Sequence, residues 1–203
     1  MIKKSILAGM LIGLGDVTYV SQENKALGAF LFSLGLIAII KNRLFLYTGK
    51  IGFLAFSPKT YSTMLVSNMA GTVIPIIFKA FADENFSQKI KALAYAKFDK
   101  TALQLLLLGI LCGMCMHVAV VSKNMIITSL CVMTFILSGF EHCIADFPYF
   151  LYNIRSGILV SLVKIIAIVI GNSLGAVIIN ILIFDKRKES KYELLKNKFY
   201  GHS

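Results

Sequence analysis

Long apolar runs alternate with short polar breaks along almost the whole chain. A first run covers about residues 5–20 and is closed by the polar turn Ser21 to Lys25. Residues Met1 to Leu14 have the look of a signal peptide, with Lys3 and Lys4 ahead of the apolar stretch. No small-x-small cleavage site follows, so this segment reads as a first membrane helix that stays. The second run starts near Ala26, is interrupted by Lys41-Asn42-Arg43, and resumes as LFLY and a further apolar piece to Phe56, with Pro58 and Lys59 as its end. A third run spans about residues 61–81 and has Pro75 inside it, which predicts a kink. Residues 82–99 are the longest polar connection and predict a short interfacial helix. The remaining runs cover about 102–121, 125–153 and 158–184.

About 20 residues of helix cross a bilayer, so this pattern predicts six spans. Composition agrees: the 203 residues are 57% hydrophobic and 15% charged, with a mean hydropathy of +0.77. Little length is left for a soluble domain. Residues 1–184 read as one membrane domain, and residues 185–203 as a basic cytoplasmic tail.

The net charge of +11 does not point to nucleic acid, because the basic residues collect at the ends of the apolar runs and in the tail. With both termini in the cytoplasm, Lys3, Lys4, Lys59, Lys123 and the tail lie inside, against Lys25, Lys89, Lys91, Lys97, Lys100 and Arg155 outside. That bias favours a multi-pass protein of the cell membrane with cytoplasmic termini and a tail facing anionic lipid. The four cysteines all lie in apolar segments, and Cys112 and Cys115 read as small residues on one helix face rather than a redox pair.

The fifth run carries the chemistry. Ser138-Gly139-Phe140-Glu141-His142-Cys143-Ile144-Ala145-Asp146 sets ionisable groups between MIITSLCVMTFIL and FPYFLY. Charges at that depth are costly and usually functional. Gly139 and Pro148 mark a helix broken in mid-membrane, where irregular backbone must line a cavity or be buried in protein.

The two halves of the chain, about 1–82 and 100–184, correspond. Gly9-x-x-x-Gly13 pairs with Gly109-x-x-x-Gly113, and Asn68-x-x-Gly71 with Asn172-x-x-Gly175; the second and fifth runs are the interrupted ones. Each half has three spans, an odd number, so the repeat is inverted, and matching broken helices point to a transport site at the midplane. Half-helix N-termini there would favour an anion.

Phe32-Ser33-Leu34-Gly35-Leu36, Leu46-Tyr47-Thr48-Gly49, Gly109-Ile110-Leu111-Cys112, Ser138-Gly139-Phe140-Glu141-His142 and the paired Asn-x-x-Gly resemble the formate/nitrite transporter family. That resemblance implies an aquaporin-like fold, a homopentamer with one pore per protomer, and passage of small monovalent anions such as formate, nitrite, lactate or hydrosulfide. It makes His142 the central histidine between two apolar constrictions, with Thr48 beside it on the other break and Asn172 near the pore. Phe32 and Phe135 match one constriction; Leu36, Leu46 and, in helix four, Met116 match the other. Gly49, Gly139 and Glu141 mark the breaks, and Lys97 or Lys100 the basic residue of the mouth.

A bare anion in a greasy slit faces a large desolvation penalty, and its neutral acid does not. A histidine held by Thr48 and Asn172 hydrogen bonds could give the anion a proton or polarise it, making passage pH-dependent. Phe45, Tyr47 and Lys50 depart from the family pattern, and a lysine beside the first break favours anions. Asp16 and His117 are extra polar groups in apolar segments, read as a helix-to-helix hydrogen bond or as tuners of selectivity. A channel for a small neutral solute is the alternative, but the Asn-Pro-Ala half-helices of such pores are absent. A metalloenzyme is disfavoured because only one histidine sits in the Glu141–Asp146 cluster, and neighbours on a helix do not face each other. No cofactor, nucleophile or nucleotide motif is read.

Overall fold

The computed structural model describes residues 1–152 and 157–183. The expected basic tail, Phe184 and Arg155 lie outside the described residues. The chain is an all-α, polytopic membrane protein, with no strand among the described residues. Helices α1 (Ile2–Ser21) and α2 (Lys25–Lys41) are followed by a non-helical step, the short α3 (Tyr47–Lys50) and one tight turn at Ile51–Phe53. Then come α4 (Pro58–Ala82), α5 (Glu84–Phe98), α6 (Ala102–Ser122), α7 (Met125–Leu137), the short α8 (Phe147–Tyr152) and α9 (Ile158–Ile183). Three of these, α4, α6 and α9, are each long and apolar enough to cross a membrane alone. The broken pairs α2/α3 and α7/α8 supply the shorter pieces.

Local chemistry sets the helix starts. Asn24 and Asn124 each accept two backbone N–H bonds at the heads of α2 and α7, and Thr101 with Gln104 forms a reciprocal cap on α6. Pro58 does not end the second run as expected; it occupies the first turn of α4, capped by Ser57, where proline's missing N–H costs nothing. Helix α4 also continues through Pro75, whose ring packs beside Gly13.

The two halves pack on the same plan. α1 lies against α4, and α6 against α9, at backbone contact. A Cβ on Gly9 would overlap the Asn68 carbonyl oxygen, and one on Gly113 the Asn172 carbonyl oxygen. Gly71 meets Ile6 and Gly175 meets Ile110 in the same way. Gly9 therefore corresponds to Gly113, one turn away from the register that pairs the two Gly-x-x-x-Gly motifs, and Gly13 corresponds to His117. The motif spacing alone fits both registers; the asparagine contact selects one.

Residues 82–99 form more than a short surface helix. α5 buries Phe86, Ile90 and Ala94 against Val20, Ile76 and Tyr149, and so carries Lys97 inward. Its start is tied by Asp83, which accepts the Phe86 N–H and pairs with Lys79 at 2.7 Å. These bonds, Lys79 first, hold the Asp83 carboxyl below its ordinary value. Lys89 reaches back to Glu23 at 2.6 Å and lowers that carboxyl likewise. Outside, large apolar side chains face outward, Phe81 at 89% and Leu182 at 72% exposure, as a lipid-facing surface allows.

Candidate functional site

Each chain break hangs on one buried asparagine. Asn68 Nδ2 donates to the Ser5 and Phe45 carbonyls, and its Oδ1 accepts the Tyr47 N–H at 2.8 Å. Asn172 repeats the arrangement: Nδ2 donates to the Gly109 and Glu141 carbonyls, and Oδ1 accepts the Cys143 N–H at 2.9 Å. Every donor and acceptor of both amides is engaged, which lets non-helical backbone persist at depth. Asn172 therefore grips the backbone on both sides of His142. It makes no bond to the imidazole, contrary to the sequence expectation: its three bonds all go to peptide groups. Gly139 turns the chain out of α7 with φ of 68°, the left-handed region glycine adopts freely.

His142 joins the two breaks. Its Nε2 lies 3.0 Å from Thr48 Oγ1, and its Nδ1 accepts the Ala145 N–H at 3.1 Å. A nitrogen that accepts cannot carry the proton of a neutral imidazole, so Nε2–H is the donor to Thr48. The Thr48 hydroxyl hydrogen is then available to a third group. His142 stacks on Phe135 at 5.7 Å between ring centroids, and Phe135 meets Phe32 edge to face at 6.0 Å.

Two cavities approach this pair. One, of about 200 Å³, is lined by Phe32, Phe135, His142, Gly139, Lys97 and Lys100 among others. Inside it Lys97 contacts Glu141 at 2.7 Å and Asp146 at 2.8 Å, while Lys100 contacts Glu141 at 2.9 Å. The choice between the two lysines dissolves: both bind Glu141, and Lys97 is the deeper. Asp146 also accepts the His142 backbone N–H at 2.6 Å, so the ion-pair network holds the segment that carries the imidazole. The other cavity, about 960 Å³, is bounded by Leu36, Leu46, Gly49 and the basic residues Lys41, Arg43, Lys50 and Lys123. Met116 is buried in the same core cluster as Leu36 and Leu46 but lines neither of these cavities.

Asp16 and His117 do not pair with each other. α1 packs on α4 and α2, whereas α6 packs on α9 and α7, so the two side chains meet different neighbours. Asp16 lines the smaller cavity. His117 is buried against Gly52 and Phe53, with neither ring nitrogen hydrogen-bonded among the described residues.

A family model described as "Formate/nitrite transporter" matches residues 1–184. The chain belongs to the formate/nitrite transporter family. Among solved structures it is similar to an "FNT family ion channel", with a TM-score of 0.76 at 20% identity, over 92% of this chain and 89% of that one. It is also similar to a "Pentameric formate channel with formate bound", with a TM-score of 0.65 at 21% identity, over 96% and 95% of the two chains. No curated protein matches it in sequence. At these identities the structures speak to the fold.

Within that family fold, the contacts of Asp146, Ala145, Lys41, Arg43 and Lys123 are not legible from residue spacing. Asp146 was visible only as part of a motif, yet it bridges Lys97 to the histidine's backbone. Ala145, through its N–H, fixes the histidine tautomer. Lys41 and Arg43 were read as a break and Lys123 as a loop charge, but they converge with Lys50 on one cavity. No residue spacing signals the convergence, since it joins the loop after α2 to the loop after α6.

Proposed function

We propose that this transporter passes small monovalent anions or their conjugate acids, of formate, nitrite, hydrosulfide or lactate type, through each protomer along the line of the two cavities and past His142. The observation that carries the reading is the His142–Thr48 pair, which joins the two interrupted helices, with His142 lining the smaller cavity and Gly49, next to Thr48, lining the larger. Phe32 and Phe135 form the apolar constriction on one side of it, and Leu36 and Leu46, with Met116 behind them, that on the other. Lys97 and Lys100 stand at one mouth, and Lys50 in the opposite cavity.

The physics is that of a dry passage. A monovalent anion loses its hydration shell between the constrictions, a cost that in the Born limit reaches tens of kcal/mol. The hydroxyl of Thr48, free to donate while Nε2–H fills its oxygen, offsets part of that cost with a charge-assisted hydrogen bond. Protonation of the anion removes the rest, so net movement of the acid rises as the medium becomes acidic. Five copies assemble in the bilayer, a reading supported by the solved relative described as pentameric, and both termini face the cytoplasm in the cell membrane, a reading supported by the distribution of lysine and arginine.

Flux assays in proteoliposomes test this function. Formate, nitrite, lactate and hydrosulfide are offered at two pH values, with crosslinking of the same vesicles to count protomers. Selective flux that grows at the lower pH, from a five-membered assembly, is the expected result. No flux of any of the four, with passage of water or another neutral solute, would move the assignment to a neutral-solute channel.

A further inference from the structure

The smaller cavity holds one carboxyl more than its lysines can balance. Lys97 and Lys100 are taken by Glu141 and Asp146. Asp16, on α1, lines the same cavity, is 3% exposed, and has no hydrogen-bond partner for Oδ2. The titratable groups that line this cavity with it can be named among the described residues. Lys97 comes from α5, Lys100 from the step into α6, Glu141, His142 and Asp146 from the second break, Tyr149 from α8, and Tyr19 from α1 itself. Among the described residues, two ammonium groups against three carboxylates leave one negative charge in a buried space on the proposed route of an anion. That charge would repel the substrate, and burying it without a counter-ion is costly.

The scaffold does not call for a carboxyl here. Asp16 lies seven residues beyond Gly9, and the residue seven beyond Gly113 is Val120. Val120 sets a methyl group over Gly49 at the first break, where a Cβ on the glycine would lie 3.2 Å from it. The half with the ionisable break has valine in that place; the aspartic acid is in the other half.

His142 cannot supply the missing proton readily. In its Nε2–H form, with Nδ1 occupied by the Ala145 N–H, giving up the proton would leave an imidazolate. A proton that the protein itself supplies has to come from another group along the route.

We propose that Asp16 is that donor: it holds a proton in the empty cavity and passes it to the entering anion ahead of the Phe32–Phe135 constriction. The Asp16 O–H bond breaks, the proton forms the new bond on the anion, and the electron pair stays on Asp16 as carboxylate. The neutral acid then moves on past the aromatic pair, and Asp16 takes a proton back from water at the open end of the cavity. This rests on the anion-pathway reading above and adds to it the residue that sets the pH dependence.

The test uses the full-length protein in lipid vesicles. Infrared difference spectra are recorded on adding isotopically labelled formate, whose own carboxyl bands are displaced. Wild type is expected to lose a protonated-carboxyl C=O band on formate addition, and Asp16→Asn to lack that signal while unfolding at the wild-type temperature. In parallel, Asp16→Asn lowers acid-side formate flux about tenfold or more and flattens its pH profile, and Asp16→Glu restores a sloping profile with a displaced midpoint. A carboxyl signal unchanged in Asp16→Asn, or a wild-type pH profile in that variant, overturns the proposal. The infrared signal needs no flux, so a wild type that carries no anion would condemn the transport reading while Asp16 is still judged by its own band.

Discussion

At the first break, Asn68 ties the chain between Phe45 and Tyr47 to the carbonyl of Ser5; at the second, Asn172 ties the chain between Glu141 and Cys143 to that of Gly109. The bonds match one for one, yet the contents differ. Around the first break stand Phe45, Leu46 and Thr48, with basic residues gathered in a wide cavity beyond them. The second carries Glu141, His142 and Asp146, locked to Lys97 and Lys100 in a narrow one. The comparison separates two jobs that the sequence mixes. Asparagine and glycine hold the irregular backbone in both halves, while only the second break itself carries ionisable side chains, Glu141, His142 and Asp146.

That separation can be broken most severely at Lys97. Lys97→Met leaves Glu141 and Asp146 buried together without their shared cation, and should cost about 3 kcal/mol or more of stability. Lys100→Met, which removes a more exposed cation from Glu141 alone, should cost well under half as much. Thermal unfolding of both variants in detergent measures this, and equal losses would mean that the network does not centre on Lys97.

The asparagines should behave alike. Asn68→Ala and Asn172→Ala each strand three buried peptide groups, and each should cost on the order of 2 kcal/mol or more. If unfolding midpoints fell for only one of them, the two breaks would not share a scaffold.

The repeat register gives a finer test. Gly113→Ala drives a methyl group into the Asn172 carbonyl, and should destabilise by about 1–3 kcal/mol, as should Gly9→Ala at its counterpart. At Gly109 the nearest atom to an added Cβ is the Ile168 carbonyl oxygen at 3.1 Å, so Gly109→Ala should be the milder change. A larger loss at Gly109 than at Gly113 would restore the register in which the two glycine motifs coincide.

The smallest effect lies outside the membrane-spanning segments. Lys79 and the Phe86 N–H lower the folded-state value of Asp83, so its contribution is complete above the unfolded value and is lost as pH falls through the folded one. Hydrogen-exchange protection at the start of α5, taken relative to the intrinsic rate at each pH, should therefore fall in acid, and Asp83→Asn should remove most of that change.

Much of this plan is legible in the sequence because apolar length and polar interruption are one-dimensional signals. Six helices, two breaks, the paired Asn-x-x-Gly and His142 can be read from them. What escapes is whatever depends on approach between distant segments. The glycine register is decided by which carbonyl each glycine meets. Pro58 reads as a stop until Ser57 is seen capping the helix that follows it. Lys97 and Lys100 cannot be ranked until α5 is seen to fold inward on Phe86 and Ile90. Asp16 is visible as an oddity in an apolar helix, but the sequence does not reveal that it shares a cavity with Glu141 and Asp146.

The central claim is that substrate passes the His142–Thr48 pair. Formate flux in proteoliposomes containing wild type or His142→Phe, at two pH values, tests it most directly. Wild type should show pH-sensitive flux, and the variant a loss of about a hundredfold or more, the scale of removing one placed polar group from a dry site. Equal flux in the two proteins, with the same response to pH, would contradict it.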